Sequence, residues 1–147
     1  MTAARLAARC VELLGAVEGP VAVMAPSRVT AEIAARVDVA SGNGAAGGAV
    51  CVFLGERLDT TSRGATLEAL AACMRRGAFL VVADHNQPRG RWRRLVALLV
   101  LALHGHGPAR ARHLVAREMH HHGFAIERLR LEDGERVQLV LARRRDG

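Results

Sequence analysis

The 147 residues are 50% hydrophobic and 24% charged, so we expect residues 1–147 to form one globular domain around a single core. This composition excludes a disordered chain, a collagen-like chain and a small disulfide scaffold. The formal net charge of +7 suggests nucleic acid as a partner, but all 21 basic residues are arginine and aromatic residues are few. Because base stacking needs aromatic faces, the composition argues against nucleic-acid binding.

Helical spacing of apolar residues alternates with short apolar runs along the chain, and glycine and proline mark the breaks between them. The predicted elements are a helix at 3–17, a strand at 21–24, a helix at 29–37, a brief strand at 38–40, a glycine-rich loop at 41–48, a strand at 49–54, a helix at 64–76, a strand at 78–83, a helix at 91–103, a helix that begins at Pro108 and ends before Gly123, and two strands at 124–131 and 136–142.

The predicted strands at 21–24, 49–54 and 78–83 are continuous apolar runs. Such strands are buried on both faces, as in a parallel sheet with helices on both sides. The last two strands alternate around a Glu-Asp-Gly turn, which predicts an antiparallel β-hairpin at one edge. We therefore predict an α/β fold with a mostly parallel sheet of about five strands and helices on both faces. The strands at 49–54 and 78–83 should be central.

This order of elements resembles the class I, Rossmann-like S-adenosylmethionine-dependent methyltransferases. In that family a helix ends in a Leu-(Arg/Lys)-Pro-Gly-Gly segment before a central strand, and a later Gly-Phe opens the antiparallel hairpin. Arg75-Arg76-Gly77-Ala78 and Gly123-Phe124 hold those places here. The resemblance covers the larger part of the chain and implies a shortened Rossmann-like fold, S-adenosylmethionine as the cofactor and methyl transfer to a small molecule. The alternative is a non-catalytic methyltransferase-like domain that serves as a partner subunit or a repurposed binding protein.

The resemblance also implies where the cofactor would lie. The family places a glycine-rich turn between its first strand and helix, and an acidic residue after the next strand holds the ribose. The matching turn here, at 25–28, contains no glycine, and its proline lacks a backbone N–H. We therefore expect weaker cofactor binding than at a glycine turn. The implied cofactor contacts are Ala25, Pro26, Ser27, Gly55 and Asp84.

A literal GxGxxG motif spans Gly42 to Gly47 and is the second candidate for the cofactor turn. That motif indicates a nucleotide or cofactor site only where it follows a strand and opens a helix. Here an apolar strand follows it instead, so we interpret residues 41–48 as a flexible glycine connection.

The candidate catalytic residues follow predicted strands, since parallel sheets bind ligands at the carboxyl ends of their strands. Glu56 follows the strand at 49–54, and His85 follows the strand at 78–83. Either side chain could accept a proton from a hydroxyl or amine of the methyl acceptor. The structural alternative is that Asp84 bonds loop amides while His85 and Asn86 line a turn.

Seven histidines raise the possibility of a metal site. No cysteine or carboxylate stands at ligand spacing beside them, so we predict no metal site. Cys10, Cys51 and Cys73 lie in apolar stretches and form no CxxC pair, which predicts buried free thiols in a reducing cytoplasm. The first residues lack the pattern of a signal peptide, and the longest apolar run is too short for a transmembrane segment.

The segment Arg89-Gly90-Arg91-Trp92-Arg93-Arg94, followed by an apolar run at 95–103, is the most unusual one. A helix that lies on a membrane needs a polar face, and 95–103 has none. A helix that is apolar all round is expected to be buried, either in the core or at a subunit contact. A shortened sheet also leaves the flank of strand 21–24 uncovered. We therefore predict a homodimer or a protein partner that uses one of these surfaces.

Overall fold

Five strands form one sheet in the computed structural model, which describes residues 1–40, 45–54, 60–103 and 115–145. The elements are α1 (Ala3–Leu14), β1 (Val21–Met24), α2 (Ser27–Ala34), β2 (Ala46–Val52), α3 (Thr60–Cys73), β3 (Met74–His85), α4 (Arg91–Leu103), α5 (Val115–His121), β4 (Phe124–Glu132) and β5 (Val137–Arg144). The brief strand predicted at 38–40 is reduced to a single parallel bridge between Val39 and Val21.

The sheet is mixed, with the strand order β1-β2-β3-β5-β4. β1, β2 and β3 run parallel to one another, whereas β5 is antiparallel to both β3 and β4. The prediction of a mostly parallel sheet therefore holds for only half of the strand pairings. The hairpin accounts for the difference. Its second strand, β5, lies between β3 and β4 and is antiparallel to both, and its first strand, β4, forms the edge of the sheet. β2 and β3 each have a neighbour on both sides, as predicted.

Helices cover both faces of the sheet. Because side chains alternate along a strand, Val81 and Ala83 of β3 belong to one buried cluster with side chains of α1 and α2. Leu80 and Val82 belong to the opposite cluster, with side chains of α3 and α5. Each fully buried aliphatic side chain contributes about 1.5–3 kcal/mol, so these two clusters supply most of the apolar stabilisation.

Helices α1 and α3 end before the residues that their sequence patterns predict. The Thr2 side chain caps α1 by accepting the N–H of Arg5 at 3.3 Å, and Gly15, at φ +73°, ends it before the predicted boundary at 17. α3 ends at Cys73 rather than at 76, because the next residue, Met74, already pairs with Ala46 of β2. Residues 74–76, whose apolar spacing is compatible with a helix, therefore belong to strand β3.

The three cysteines are free thiols, and Cys10 and Cys51 are buried. Burial raises the pKa of the Cys10 thiol to about 12, because removal from water disfavours the thiolate. Cys10 therefore stays protonated and packs as a small apolar side chain. Cys73 is only partly buried, at the end of α3.

α4 keeps its predicted bounds but is not buried. Trp92 is 81% exposed and Leu103 is 78% exposed, and Ala97 is the one fully buried side chain among those that the structure describes in α4. Of the two alternatives for this helix, the position in the core is therefore wrong, whereas a subunit contact stays a prediction. The apolar pattern correctly indicated a helix, but no element among the described residues covers its outer side.

None of the described helices is both long and apolar enough to cross a membrane. Within the described ranges, no three His, Cys, Asp or Glu side chains lie together as a metal site would require. His104, His106 and His113 lie outside those ranges.

Candidate functional site

The turn between β1 and α2 holds three of the predicted cofactor contacts, Ala25, Pro26 and Ser27. Pro26 is the cap residue of α2, with φ −54° and ψ 145°, and no side chain caps the helix there. The hydroxyl of Thr30 donates to the carbonyl oxygen of Ala25 at 3.1 Å and lies 3.3 Å from that of Pro26. These contacts orient the first turn of α2 and hold the β1–α2 turn against it.

A depression of about 510 Å³ opens at the carboxyl ends of β1 and β2. β1 pairs with Val39 on one side and with β2 on the other. The segment after β1 is therefore added on one side of it and β2 on the opposite side, which makes this place a topological switch point. Open α/β sheets bind ligands at such switch points. The lining residues are Met24, Ala25, Pro26, Cys51, Val52, Phe53 and Leu54.

Phe53 shapes one wall of this depression. It has a left-handed backbone, with φ +58°, and its N–H donates to the carbonyl oxygen of Ala83 at 2.7 Å. Its ring stacks on the imidazole of His85, with centroids 4.6 Å apart and planes 9° apart. Phe53 was not among the residues predicted from the sequence, because the pattern showed it only as an apolar residue of the predicted strand 49–54.

His85 and Asp84, both predicted as site residues, point to opposite faces of the sheet. His85 continues the side of β3 that packs on α1 and α2 and places its ring beside Phe53. Asp84 continues the opposite side, is completely buried, and accepts the backbone N–H of His85 at 2.8 Å. This bond resembles the structural alternative for Asp84, although the amide belongs to the last residue of β3 and not to a loop.

The carboxyl end of β3 is tied to the β4–β5 turn. The backbone N–H of Asn86 donates to the carbonyl oxygen of Arg136 at 2.8 Å, and its side-chain amide donates to that of Glu135 at 2.7 Å. The Gln138 side chain donates to the carbonyl oxygen of His85 at 2.9 Å. Asn86 therefore links two elements rather than lining an open turn, and it helps to fix where His85 lies.

The structure brings together Ala25, Pro26, Phe53 and, through the ring stack, His85. Gly55 and Glu56 follow directly after the lining residue Leu54 in sequence but lie outside the described residues. The first turn of α2 contains no acidic residue. An anionic or zwitterionic ligand would therefore meet backbone N–H groups there, without a repelling carboxylate on that turn.

Several of the solved structures with a similar fold are methyltransferases. The chain superimposes on the pyocyanin biosynthetic protein PhzM with a TM-score of 0.70 at 16% identity, covering 97% of this chain and 54% of PhzM. It superimposes on the N-methyltransferase NodS from Bradyrhizobium japonicum WM9, in complex with S-adenosyl-L-homocysteine, with a TM-score of 0.62 at 11% identity, covering 97% and 87%. For magnesium protoporphyrin IX methyltransferase (ChlM) from Synechocystis PCC 6803 with bound SAH, the TM-score is 0.53 at 14% identity, covering 97% and 81%.

At these identities the similarity establishes the fold alone, and the chain has the class I methyltransferase fold. It spans about half the length of PhzM and most of NodS. No protein-family model matches the sequence, and no curated protein matches it.

Proposed function

We propose that this domain is an S-adenosylmethionine-dependent methyltransferase that acts on a small molecule. The observation that carries the proposal is the depression of about 510 Å³ at the carboxyl ends of β1 and β2. It lies where an open α/β sheet binds its ligand, in a chain whose fold is that of the class I methyltransferases.

The depression fits a cofactor of this kind. Its volume falls in the range of about 300–1,000 Å³ that small-molecule sites have. S-adenosylmethionine carries a carboxylate, and the first turn of α2 offers backbone N–H groups with no acidic side chain among them. When bound, the cofactor supplies an electrophilic methyl group, so the protein has only to orient the acceptor and take up its proton.

Within this proposal, Ala25, Pro26 and Ser27 contact the cofactor on the α2 side, and Gly55 is the proposed contact that follows β2 in sequence. Asp84, also expected to contact the cofactor, is completely buried and faces the opposite side of the sheet from His85, so it is not part of this proposal. His85 and Glu56 are the proposed proton acceptors for the substrate hydroxyl or amine. Phe53 is a positioning residue, because its ring stacks on the imidazole of His85 and so limits how that ring can turn.

Pro26 is the observation that favours the alternative of a non-catalytic domain. At this position it removes one backbone donor from the cofactor turn. A domain that has lost cofactor binding would tolerate that loss.

Calorimetric titration with S-adenosyl-L-homocysteine tests the proposal. We expect saturable binding with a dissociation constant of about 1 mM or lower, which corresponds to about −4 kcal/mol or stronger. Ser27→Glu should weaken binding about ten-fold, a cost of about 1.4 kcal/mol, because a carboxylate at the start of α2 repels the carboxylate of the ligand.

Thr2→Asp is the matched control, since it places the same charge at the start of α1, away from the depression. Both substitutions put an acidic residue where the helix dipole favours it, so neither should lower stability. No heat at millimolar ligand, from a chain with a native circular dichroism spectrum, would support the non-catalytic alternative.

We also propose that the domain acts in the cytoplasm and that a second copy of the chain covers the flank of β1. β1 is the last strand of the sheet on this side and pairs outward only through the bridge of Val21 to Val39, and an apolar depression of about 240 Å³ lies beside it. The residues that line this depression are Ala22, Val23, Met24, Ala40, Ala46, Ala69, Leu70 and Cys73.

Light scattering tests this assembly. We expect the mass of a dimer for the unmodified chain and of a monomer for Ala69→Glu, which places a charge on an exposed position of the flank. Ala65→Glu, one helical turn earlier and also exposed, should leave the dimer intact. A monodisperse monomer of the unmodified chain at high concentration would contradict the proposal.

A further inference from the structure

The outer side of α4 is a continuous apolar stripe. Five large side chains lie at the spacings 3, 4, 7 and 11 from the first, which places them on one side of the helix. They are Trp92 (81% exposed), Leu95 (60%), Val96 (50%), Leu99 (61%) and Leu103 (78%). A patch of this kind on a soluble domain marks an interaction surface.

Arginines surround the beginning of this stripe. Arg91 and Arg93 flank Trp92, Arg94 and Arg89 lie close by, and all four are exposed. The sequence contains no aspartate or glutamate from His85 to Arg117. Glu135 approaches this group from the β4–β5 turn, with its carboxylate 4.0 Å from the Arg93 guanidinium, and Asp133 and Arg136 of the same turn line the depression beside Trp92. The surface around Trp92 therefore keeps a net positive charge, and the surface that complements it is anionic.

We propose that α4 docks the domain on an anionic lipid surface. The stripe would enter the boundary between headgroups and acyl chains, with Trp92 at headgroup level, and the arginines would contact the lipid phosphates. Each arginine near such a surface increases the binding constant for the membrane about five-fold. This docking is independent of methyl transfer and of the β1 flank.

A helix that lies on a membrane by itself needs a polar face of its own, and for that reason the sequence argued against such a helix at 95–103. In the structure Ala97, on the opposite side of α4, is buried with 4% exposure. The body of the domain therefore covers the side that an isolated helix would have to turn toward water. A polar face is not required when that face is packed on protein.

A second copy of the chain fits this stripe less well than a bilayer does. A stable dimer buries about 800 Å² on each partner, contributed by roughly 20–30 residues, whereas the stripe is one convex helix with five large side chains. A copy would also bring the same arginines to the interface and no carboxylate on its own α4. A bilayer adapts its shape to a single helix and supplies negative charge.

Trp92 is the only tryptophan in the chain, so its fluorescence reports directly on the stripe. The experiment compares vesicles of pure phosphatidylcholine with vesicles that also contain phosphatidylserine, by flotation and by tryptophan emission. We expect flotation with the anionic vesicles, a blue shift of the emission, and release by salt. Leu99→Glu should reduce binding at least ten-fold, and the double variant Arg91→Glu, Arg93→Glu should reduce it more than twenty-fold.

Leu129→Glu is the matched control, because Leu129 of β4 is 49% exposed and lies off the stripe, so its binding should equal that of the unmodified chain. Circular dichroism confirms that each variant folds. Equal binding to both kinds of vesicle would overturn the proposal, as would no binding to either. A loss of dimer mass in Leu99→Glu without vesicle binding would also overturn it, and would assign the stripe to a second copy.

Discussion

Replacing Gly47 with alanine should destabilise the domain by about 3 kcal/mol or more, at the upper end of what overpacking costs. A methyl carbon at this position would lie 2.1 Å from the carbonyl oxygen of Glu18 and 2.9 Å from its carbonyl carbon. The N–H of Gly47 also donates to the carbonyl oxygen of Pro20 at 2.9 Å. Both obstacles are backbone, so neither a side-chain rotation nor a small shift of one chain relieves the clash.

Gly48→Ala is the neighbouring control for urea denaturation. Its added carbon would meet Leu14, Val17 and the carbonyl oxygen of Phe79 at 3.3 Å each, and these neighbours can give way by a few tenths of an ångström. We expect a cost of about 1 kcal/mol or less. Equal losses in the two variants would show that the close approach to Glu18 is not what requires glycine at position 47.

The same pair of variants tests the second candidate for the cofactor turn. Gly47 is the last glycine of the GxGxxG motif, and in the structure it lies inside β2 rather than in a turn that opens a helix. If the motif bound S-adenosyl-L-homocysteine, Gly47→Ala would weaken that binding with little loss of stability. We expect the reverse, because the glycine permits a strand to approach the chain before β1.

Local patterns predicted the order of the elements well, because each apolar strand and each helix is set by its own residues. The boundaries failed where tertiary contacts decide. β2 begins at Ala46, inside the predicted glycine loop. At Gly47 this strand passes so close to the backbone of Glu18 that only glycine fits. β3 begins at Met74, inside a predicted helix, because it pairs with Ala46. Both contacts join residues that are far apart in the sequence, so the residues on either side of each boundary do not reveal them.

The position of the depression was predictable from the sequence, but the directions in which the neighbouring side chains point were not. The rule that ligands bind at strand ends selected Ala25–Ser27 and His85, and the depression lies at the ends of β1 and β2. Adjacent residues of a strand face opposite sides, so Asp84 and His85 could not both enter one site from the same face. Phe53 carries no sequence signal, because its role depends on a ring contact across two strands.

For α4, the helix was predictable from the sequence but its exposure was not. Its apolar residues predicted a helix with the observed bounds, since helix formation depends on the segment itself. Burial depends on what lies beside the segment, and in the described part of the chain no element covers its outer side. The sequence could therefore place the stripe of Trp92, Leu95, Val96, Leu99 and Leu103 on a helix but could not show that the stripe faces outward.

Removing the carboxylate of Glu118 should cost about 3 kcal/mol of stability. In the structure the Nε atom of Arg63 lies 3.1 Å from each oxygen of this carboxylate, and the two side chains are only 15% and 11% exposed. Glu118→Ala leaves the arginine charged in a place where water reaches it poorly. The pair joins α3 to α5, the two helices that cover the face of the sheet containing Asp84, so the loss should loosen that face.

Two comparisons in urea denaturation isolate this effect. The double variant Arg63→Met, Glu118→Leu should lie within about 1 kcal/mol of the unmodified chain, because it removes both charges and keeps the apolar volume. Glu127→Ala should cost about 1 kcal/mol or less, since its ion pair with Arg143 has side chains 39% and 55% exposed and water screens such pairs. If Glu118→Ala costs no more than Glu127→Ala, the buried pair does not hold α5 on α3. Packing of Val115 and Met119, both completely buried, would then have to position α5 by itself.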